Sequence, residues 1–234
     1  MFLKVTEVEH YSDTLFRIRT ERPSTFRFSA GEFIMIGVGD SVMRAYSITS
    51  GPYDGELEFY SIKAPNGLLT SRLQYIKAGD QLKISEKPTG SLILANIDLG
   101  GHLWMLATGT GIAPFISLLR DPETYDAFEQ IHVIWSVRNQ AELAAYDSFL
   151  SQADVRYMPI VTRDPAYSGE TQRITQLITD NTIVTHGTPE KNKVMMCGSM
   201  PFNKDVKRLL TNLGWQEGTR KAAGTFVQEK AFVL

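Results

Sequence analysis

The chain is almost without cysteine: its 234 residues include one, Cys197. A single thiol excludes an internal disulfide framework and a cysteine-ligated iron–sulfur cluster. Charge of one sign is also missing. Lys and Arg number 24 against 26 Asp and Glu, a formal net charge of −2, so there is no global pull toward nucleic acid or membrane. Electrostatic docking would have to come from a local patch. No apolar run approaches the length of a membrane span. The first residues, Met1-Phe2-Leu3-Lys4-Val5-Thr6-Glu7, are interrupted by charge too early for a secretory apolar region, which makes the cytoplasm the expected location. The four histidines, His10, His102, His132 and His186, lack metal-ligand spacing, and His132, inside a strand pattern, reads as structural. No pair of carboxylates and no Ser/His/Asp order points to hydrolysis. Internal repeats and low-complexity tracts are absent.

What is present suits an ordinary globular protein. Hydrophobic residues make up 43% and charged residues 21%, and the length allows one large or two modest domains. The first ~95 residues read as short strands separated by turn residues. The strands are expected at Phe2–Glu9, Thr14–Thr20, Phe33–Val38, Arg44–Thr49, Glu56–Ile62 and Gln81–Ser85, with breaks such as Gly39-Asp40, Gly51-Pro52 and Gly79-Asp80. Regular short strands predict an antiparallel barrel, interrupted by one helix over Leu68–Gln74. After Asp98-Leu99-Gly100-Gly101, a candidate hinge, the texture changes. Apolar runs at Leu103–Ala107, Ile131–Val137, Val155–Val161 and Lys193–Met196 alternate with helical stretches at Ala113–Leu119, Gln140–Leu150, Arg173–Thr179 and Pro201–Leu213. That alternation predicts a doubly wound parallel sheet. The expected division is 1–98 and 99–234.

Three segments carry chemistry. Arg44-Ala45-Tyr46-Ser47 places a cation, an aromatic face and a hydroxyl on one short strand. Alternate side chains share a face, so Arg44 and Tyr46 suit a ring beside an anion. Thr108-Gly109-Thr110-Gly111 lies between an apolar run and a helix opened by Pro114. Glycines there let backbone N–H groups approach a pyrophosphate, and the helix start adds positive potential. The third glycine of the dinucleotide fingerprint is missing, with Pro114 in its place. Finally, the second parallel strand ends Ser136-Val137-Arg138, with no acid before Glu142, and the third ends Val161-Thr162-Arg163. With Arg173 these arginines predict a 2′-phosphate site, and therefore NADPH rather than NADH.

Taken together and in order, these segments resemble the ferredoxin–NADP reductase family over nearly the whole chain. Arg44-Ala45-Tyr46-Ser47 is similar to its flavin signature. Gly67-Leu68-Leu69-Thr70-Ser71-Arg72-Leu73 resembles its FAD-phosphate turn, Ala107–Phe115 its NADP loop, Val161-Thr162-Arg163-Asp164 its 2′-phosphate strand end, and Met196-Cys197-Gly198-Ser199 its nicotinamide-side loop. The ending Ala231-Phe232-Val233-Leu234 resembles the bacterial subclass that serves ferredoxin or flavodoxin.

The resemblance implies an N-terminal FAD-binding barrel, an NADP-binding α/β domain and a tail that covers the flavin. It assigns Arg44 to the FAD pyrophosphate, Tyr46 to the isoalloxazine face and Ser47 to the N5 edge. Ser61, Ile62 and Lys63 would give contacts near the phosphates, and Gly67, Leu68, Leu69 and Thr70 would hold phosphate oxygens. Ala231 and Phe232 would close the other flavin face and its adenine side. Thr108, Gly109, Thr110 and Gly111 would hold the NADP pyrophosphate; Cys197 and Gly198 would sit beside the nicotinamide, with Cys197 a positioning residue and not a nucleophile. Gln172 stands where the family commonly has Gly, a departure beside Arg173.

The implied activity is electron exchange between NADPH and ferredoxin or flavodoxin, by hydride transfer to flavin and one-electron transfer to the carrier. A monomer is expected. Rival readings are an NAD(P)H flavin reductase, an oxygenase reductase, or a non-catalytic flavoprotein subunit. Acidic carriers would need a basic docking patch; Arg17, Arg19, Arg22 and Arg27 form one candidate group, and Lys204, Lys207 and Arg208 another.

Overall fold

The computed structural model describes residues 1–64, 66–184 and 188–230. His186 and the tail 231–234 lie outside them. The chain divides into two compact units. Among the described residues, one comprises Met1–Gly90 with Ala113–Asp121, and the other Ser91–Ile112 with 122–230.

The first unit is built on six antiparallel strands: β1 (Phe2–His10), β2 (Leu15–Glu21), β3 (Phe33–Gly37), β4 (Arg44–Ser47), β5 (Glu56–Ile62) and, after the short helix α1 (Thr70–Leu73), β6 (Gln81–Ile84). Their order is β4-β3-β6-β1-β2-β5. Alternation drives it. Phe16 and Ile18 of β2 lie opposite Ser61 and Phe59 of β5 and turn inward onto Val5, Ile34, Ile36 and Leu82. A register shift between Val5 and Glu7 marks a bulge in β1, which bends the sheet. Just past β4, the Thr49 N–H donates to Glu58 O of β5 (2.8 Å), drawing the two end strands together as a barrel requires. Leu69, Leu73 and Ile76, spaced on one helical face, join the same core.

The second unit holds a five-stranded parallel sheet ordered β11-β10-β7-β8-β9. Its strands are β7 (His102–Thr108), β8 (Gln130–Val137), β9 (Arg156–Val161), β10 (Asn192–Gly198) and β11 (Phe226–Lys230). The chain winds outward from β7 to β9, then returns to place β10 on the other side of β7, so β7/β10 is the switch point. Every residue of β10 is buried, as expected for a strand covered on both faces. Helix α2 (Ala113–Leu119) belongs to the first unit; the helices of the second are α3 (Pro122–Asp126), α4 (Asp147–Gln152), α5 (Ile174–Thr179) and α6 (Met200–Asn212). Ser199 caps α6 by accepting from the Phe202 N–H, with Pro201 in the first turn, and Val206 and Leu210 carry its buried stripe into the core with Ile174 and Leu177 of α5.

Two expectations change. The helix expected over Gln140–Leu150 is broken. A 3₁₀ turn spans Gln140–Leu143 and α4 starts only at Asp147, because Tyr146 adopts φ −135°, ψ 0°. Tyr146 is 2% exposed and packs near Trp135, ring centroids 6.4 Å apart, so burial of its ring overrides the helical propensity of Ala144 and Ala145. The strand β11 is additional to the runs read from sequence. No described helix is long and apolar enough to cross a membrane.

Candidate functional site

In the barrel unit, β4 positions the first set of groups. Arg44 and Tyr46 lie opposite Ile36 and Ile34, so both take the face toward which those isoleucines point. The Tyr46 hydroxyl is 3.0 Å from Ser61 Oγ, which fixes the ring plane from β5. Burial pushes the Tyr46 phenol above its ordinary pKa, partly offset by Ser61, so it stays neutral near pH 7. Arg44 is half-buried, and its guanidinium donates to the Met43 carbonyl at 3.2 Å. Among the described residues no carboxylate pairs with it, so its charge stands available to an anion. Ala45 is exposed and Ser47 half-buried.

The Lys63 amine donates to Ser12 O (2.6 Å) and its N–H to Thr14 O (2.7 Å), which ties the end of β5, after Ser61 and Ile62, to the β1–β2 turn. At the next turn the Gly67 N–H donates to Ala64 O (2.9 Å), and Thr70 Oγ1 donates to the same carbonyl at 2.8 Å. A Cβ on Gly67 would lie 2.1 Å from Thr70 Oγ1, so the turn closes only around glycine. The Thr70 proton is thus committed within the turn. The N–H groups of Leu68 and Leu69, by contrast, have no acceptor among the described residues. Leu68 is exposed and Leu69 buried.

In the sheet unit, the glycine loop leaves the end of β7 at Thr108. Gly109 takes φ +55°, a left-handed conformation, and Trp135 Nε1 donates to its carbonyl at 2.8 Å. Thr110 is 8% exposed. A Cβ on Gly111 would fall 2.2 Å from the Cys197 carbonyl oxygen, and one on Gly198 would fall 2.2 Å from Thr108 Oγ1. The loop and the end of β10 therefore interlock across the switch point through missing side chains. This cradle fits a pyrophosphate approached by backbone N–H groups.

Cys197 is fully buried between Ala107 and Glu229 in strand register. Burial, reinforced by Glu229, holds its thiol well above the usual pKa. It is a neutral packing group, not a thiolate nucleophile.

Arg138 and Arg163 leave adjacent strand ends joined by the bond from Arg163 N to Arg138 O (2.8 Å). Arg173 precedes α5, three residues beyond Glu170, which bridges Ile160 of β9. All three are exposed, and none has a carboxylate partner among the described residues. The nearby acids are turned to the backbone: Glu142 Oε2 accepts from Arg138 N (3.3 Å), and Asp164 Oδ2 from Gln140 N (3.3 Å). Ala231 and Phe232 lie outside the described residues.

The arginines proposed for carrier docking near the N-terminus are already committed. Arg17 pairs with Glu9, Glu7 and Glu58, and Arg19 with Glu7 (2.8 Å) and Glu58 (3.0 Å). Arg22 donates to the carbonyls of Pro52, Asp54 and Phe26 and covers the Phe28 ring, while Arg27 donates to Ser24 O and Phe26 O. Arg17 and Arg19 thus have carboxylate partners, whereas the hydrogen-bond partners of Arg22 and Arg27 are backbone carbonyls, which leave their charge in place. In the second group Lys207 pairs with Glu217 and Arg208 with Asp205.

Sequence reading missed Glu58 as a centre of charge. Its signal was a lone carboxylate within the apolar run Leu57–Tyr60, opposite the arginine-bearing β2.

Residues 3–93 match the oxidoreductase FAD-binding domain family, and residues 105–208 the oxidoreductase NAD-binding domain family. A flavodoxin/ferredoxin–NADP reductase from Rhodobacter capsulatus is 43% identical, covering 98% of this chain and 92% of that protein. The chain belongs to the ferredoxin–NADP reductase family. A second member, the ferredoxin–NADP reductase of Azotobacter vinelandii, is 39% identical over 98% of this chain and 96% of its own. Among solved structures, the family's ferredoxin NADP+ reductase from Neisseria gonorrhoeae, with bound FAD and NADP, superposes with a TM-score of 0.91 at 31% identity, covering 99% and 98% of the two chains.

Proposed function

We propose that this chain is an FAD-dependent oxidoreductase that exchanges electrons between NADPH and ferredoxin or flavodoxin. The observation that carries the reading is the company kept by the arginines. The carboxyl ends of β8 and β9 present Arg138 and Arg163 without acidic partners among the described residues, where an NAD site would place a carboxylate. FAD and NADP fit the residues present: a half-buried tyrosine beside an arginine that has no carboxylate partner among the described residues, on β4, and glycines at β7/β10 where an added Cβ would fill the cradle. When bound, the flavin supplies the conversion between two-electron and one-electron chemistry.

The chain's own residues orient and enclose. Tyr46 offers a neutral ring held by Ser61, Arg44 offsets phosphate charge, and the Leu68 and Leu69 N–H groups complete a phosphate turn. Ser47 would donate at the ring edge. Gly111 and Gly198 admit the nucleotide backbone, Arg138 and Arg163 select the 2′-phosphate with Arg173 a weaker third, and Cys197 walls the nicotinamide side. Ala231 and Phe232 would cover the open ring face. Residues 1–98 serve the flavin and 99–234 the nucleotide, in a monomer working in the cytoplasm.

The test is direct. Acid-released cofactor should chromatograph as FAD, and anaerobic NADPH should bleach it and drive reduction of added ferredoxin or flavodoxin. Release of FMN, or electrons passing to free flavin and to neither carrier, would favour a flavin reductase. No NADPH diaphorase activity in the lone chain would indicate a non-catalytic subunit.

A further inference from the structure

The helix behind the nucleotide loop is held by residues that no cofactor role explains. Helix α2 continues the chain directly from the glycine loop, yet Ala113–Asp121 forms part of the barrel unit. Three observations fix it there. Ser117 Oγ donates to Ser50 O at 2.7 Å, with both residues buried. At the helix end the Arg120 guanidinium spans two carboxylates, Asp54 Oδ2 at 3.3 Å and Glu58 Oε1 at 3.4 Å. The turn they hold is closely packed: a Cβ on Gly51 would lie 2.8 Å from Arg120 Cβ and 3.1 Å from its carbonyl oxygen. Ser50 and Gly51 follow Ser47 by three and four residues, so this turn is the direct continuation of the strand that carries Arg44 and Tyr46.

We propose that Ser117 and Arg120 are positioning residues for electron transfer. They lock the helix that continues the nucleotide loop to the turn that continues the flavin strand. The inference rests on the functional reading above. Its physical basis is the steep dependence of transfer on geometry, where a misplacement of about 1 Å costs roughly a hundredfold in rate. The Glu58 side chain is 3% exposed and the Arg120 side chain 21%, so their pair is shielded and geometrically defined, unlike a solvent-facing ion pair. Glu58 also keeps Arg19 at 3.0 Å and Arg17 at 3.7 Å when Arg120 is removed. Loss of Arg120 therefore does not strand a buried carboxylate, and the variant should fold.

The experiment uses the full chain with FAD, as wild type, Ser117→Ala, Arg120→Ala and Arg120→Lys. Flavin reduction is followed by stopped flow across NADPH concentrations, and amide hydrogen exchange over residues 109–119 is read in the protein without nucleotide. Ser117→Ala and Arg120→Ala should each slow reduction at saturating NADPH by about tenfold while KM moves less than about twofold. Their 109–119 amides should exchange faster, and Arg120→Lys should recover most of both effects. FAD content and reduction by dithionite should match wild type. Unchanged rates in both variants would overturn the inference. So would faster exchange confined to residues 56–62 with an unchanged rate, the mark of a purely stabilising ion pair. If NADPH fails to reduce even the wild type, the functional reading falls, and the exchange of 109–119 still decides the anchor.

Discussion

On the proposed reading, the barrel strand β4 and the carboxyl ends of the parallel sheet would bind by different means. On β4 and at the end of β5 the side chains are half-buried and held before any ligand arrives, with Tyr46 of β4 against Ser61 and Lys63, just past β5, tied to Ser12. At the sheet the chemistry is carried by absence and exposure: glycines whose Cβ atoms would strike Cys197 O or Thr108 Oγ1, and arginines standing in solvent without carboxylates among the described residues. The first arrangement spends its ordering cost on folding and suits a resident cofactor. The second leaves the arginines to be ordered by the ligand and suits one that enters and leaves.

The sharpest way to break this contrast is Gly111→Ala. Its new methyl would meet backbone, not a flexible side chain, so the loop must move, at about 1–3 kcal/mol or more. The expected result is a roughly hundredfold loss of kcat/KM for NADPH, with FAD content unchanged by absorbance. Loss of FAD as well would mean that the two sites are not separable. Next in size, Arg44→Ala should weaken FAD by about 1.5–3 kcal/mol, the scale for a charged hydrogen bond, measured as the dissociation constant of FAD from the refilled apoprotein. Nucleotide affinity should be unaffected.

The smallest effect lies away from both sites. His132 stacks on Trp104 at 3.8 Å and lies 3.2 Å from His102. Burial, then His102 and Arg156, lowers its pKa from 6.5 to about 4. Between those values the unfolded chain takes up a proton that the folded chain refuses. This group therefore leaves stability intact above pH 6.5 and erodes it as pH falls toward about 4. The melting temperature of wild type should drop more steeply across that window than that of His132→Asn. Equal slopes would remove His132 from the account. Neither protein should change its cofactor affinity at neutral pH.

The same contrast governs how much was legible in the sequence. Regularly spaced short strands between turn residues revealed the barrel, and the apolar runs of β7 and β8 the parallel sheet, because turn residues and two-faced burial are written directly into the chain. Helix α2 was readable from the glycine loop and Pro114. The break before α4 was not, since it is decided by where the Tyr146 ring is buried and not by local propensity. Strand β11 was also hidden: Phe226-Val227-Gln228-Glu229-Lys230 is a strand through its pairing with β10. At the candidate sites, glycine and arginine spacing was visible because the roles proposed for these residues run through backbone and charge. The commitment of Arg17 and Arg19 to Glu7, Glu9 and Glu58 was not, because it depends on the register of three strands.

The central claim, that the arginines of the sheet read the nucleotide independently of the side chains that hold the flavin, is tested most directly by calorimetric titration of 2′,5′-ADP into the FAD-loaded chain, wild type against Arg163→Ala. Loss of a charged contact of about 1.5–3 kcal/mol predicts roughly ten- to a hundredfold weaker binding, with NADH-driven activity and one FAD per chain retained. Unchanged 2′,5′-ADP affinity, or an equal loss of NADH activity and FAD, would contradict it.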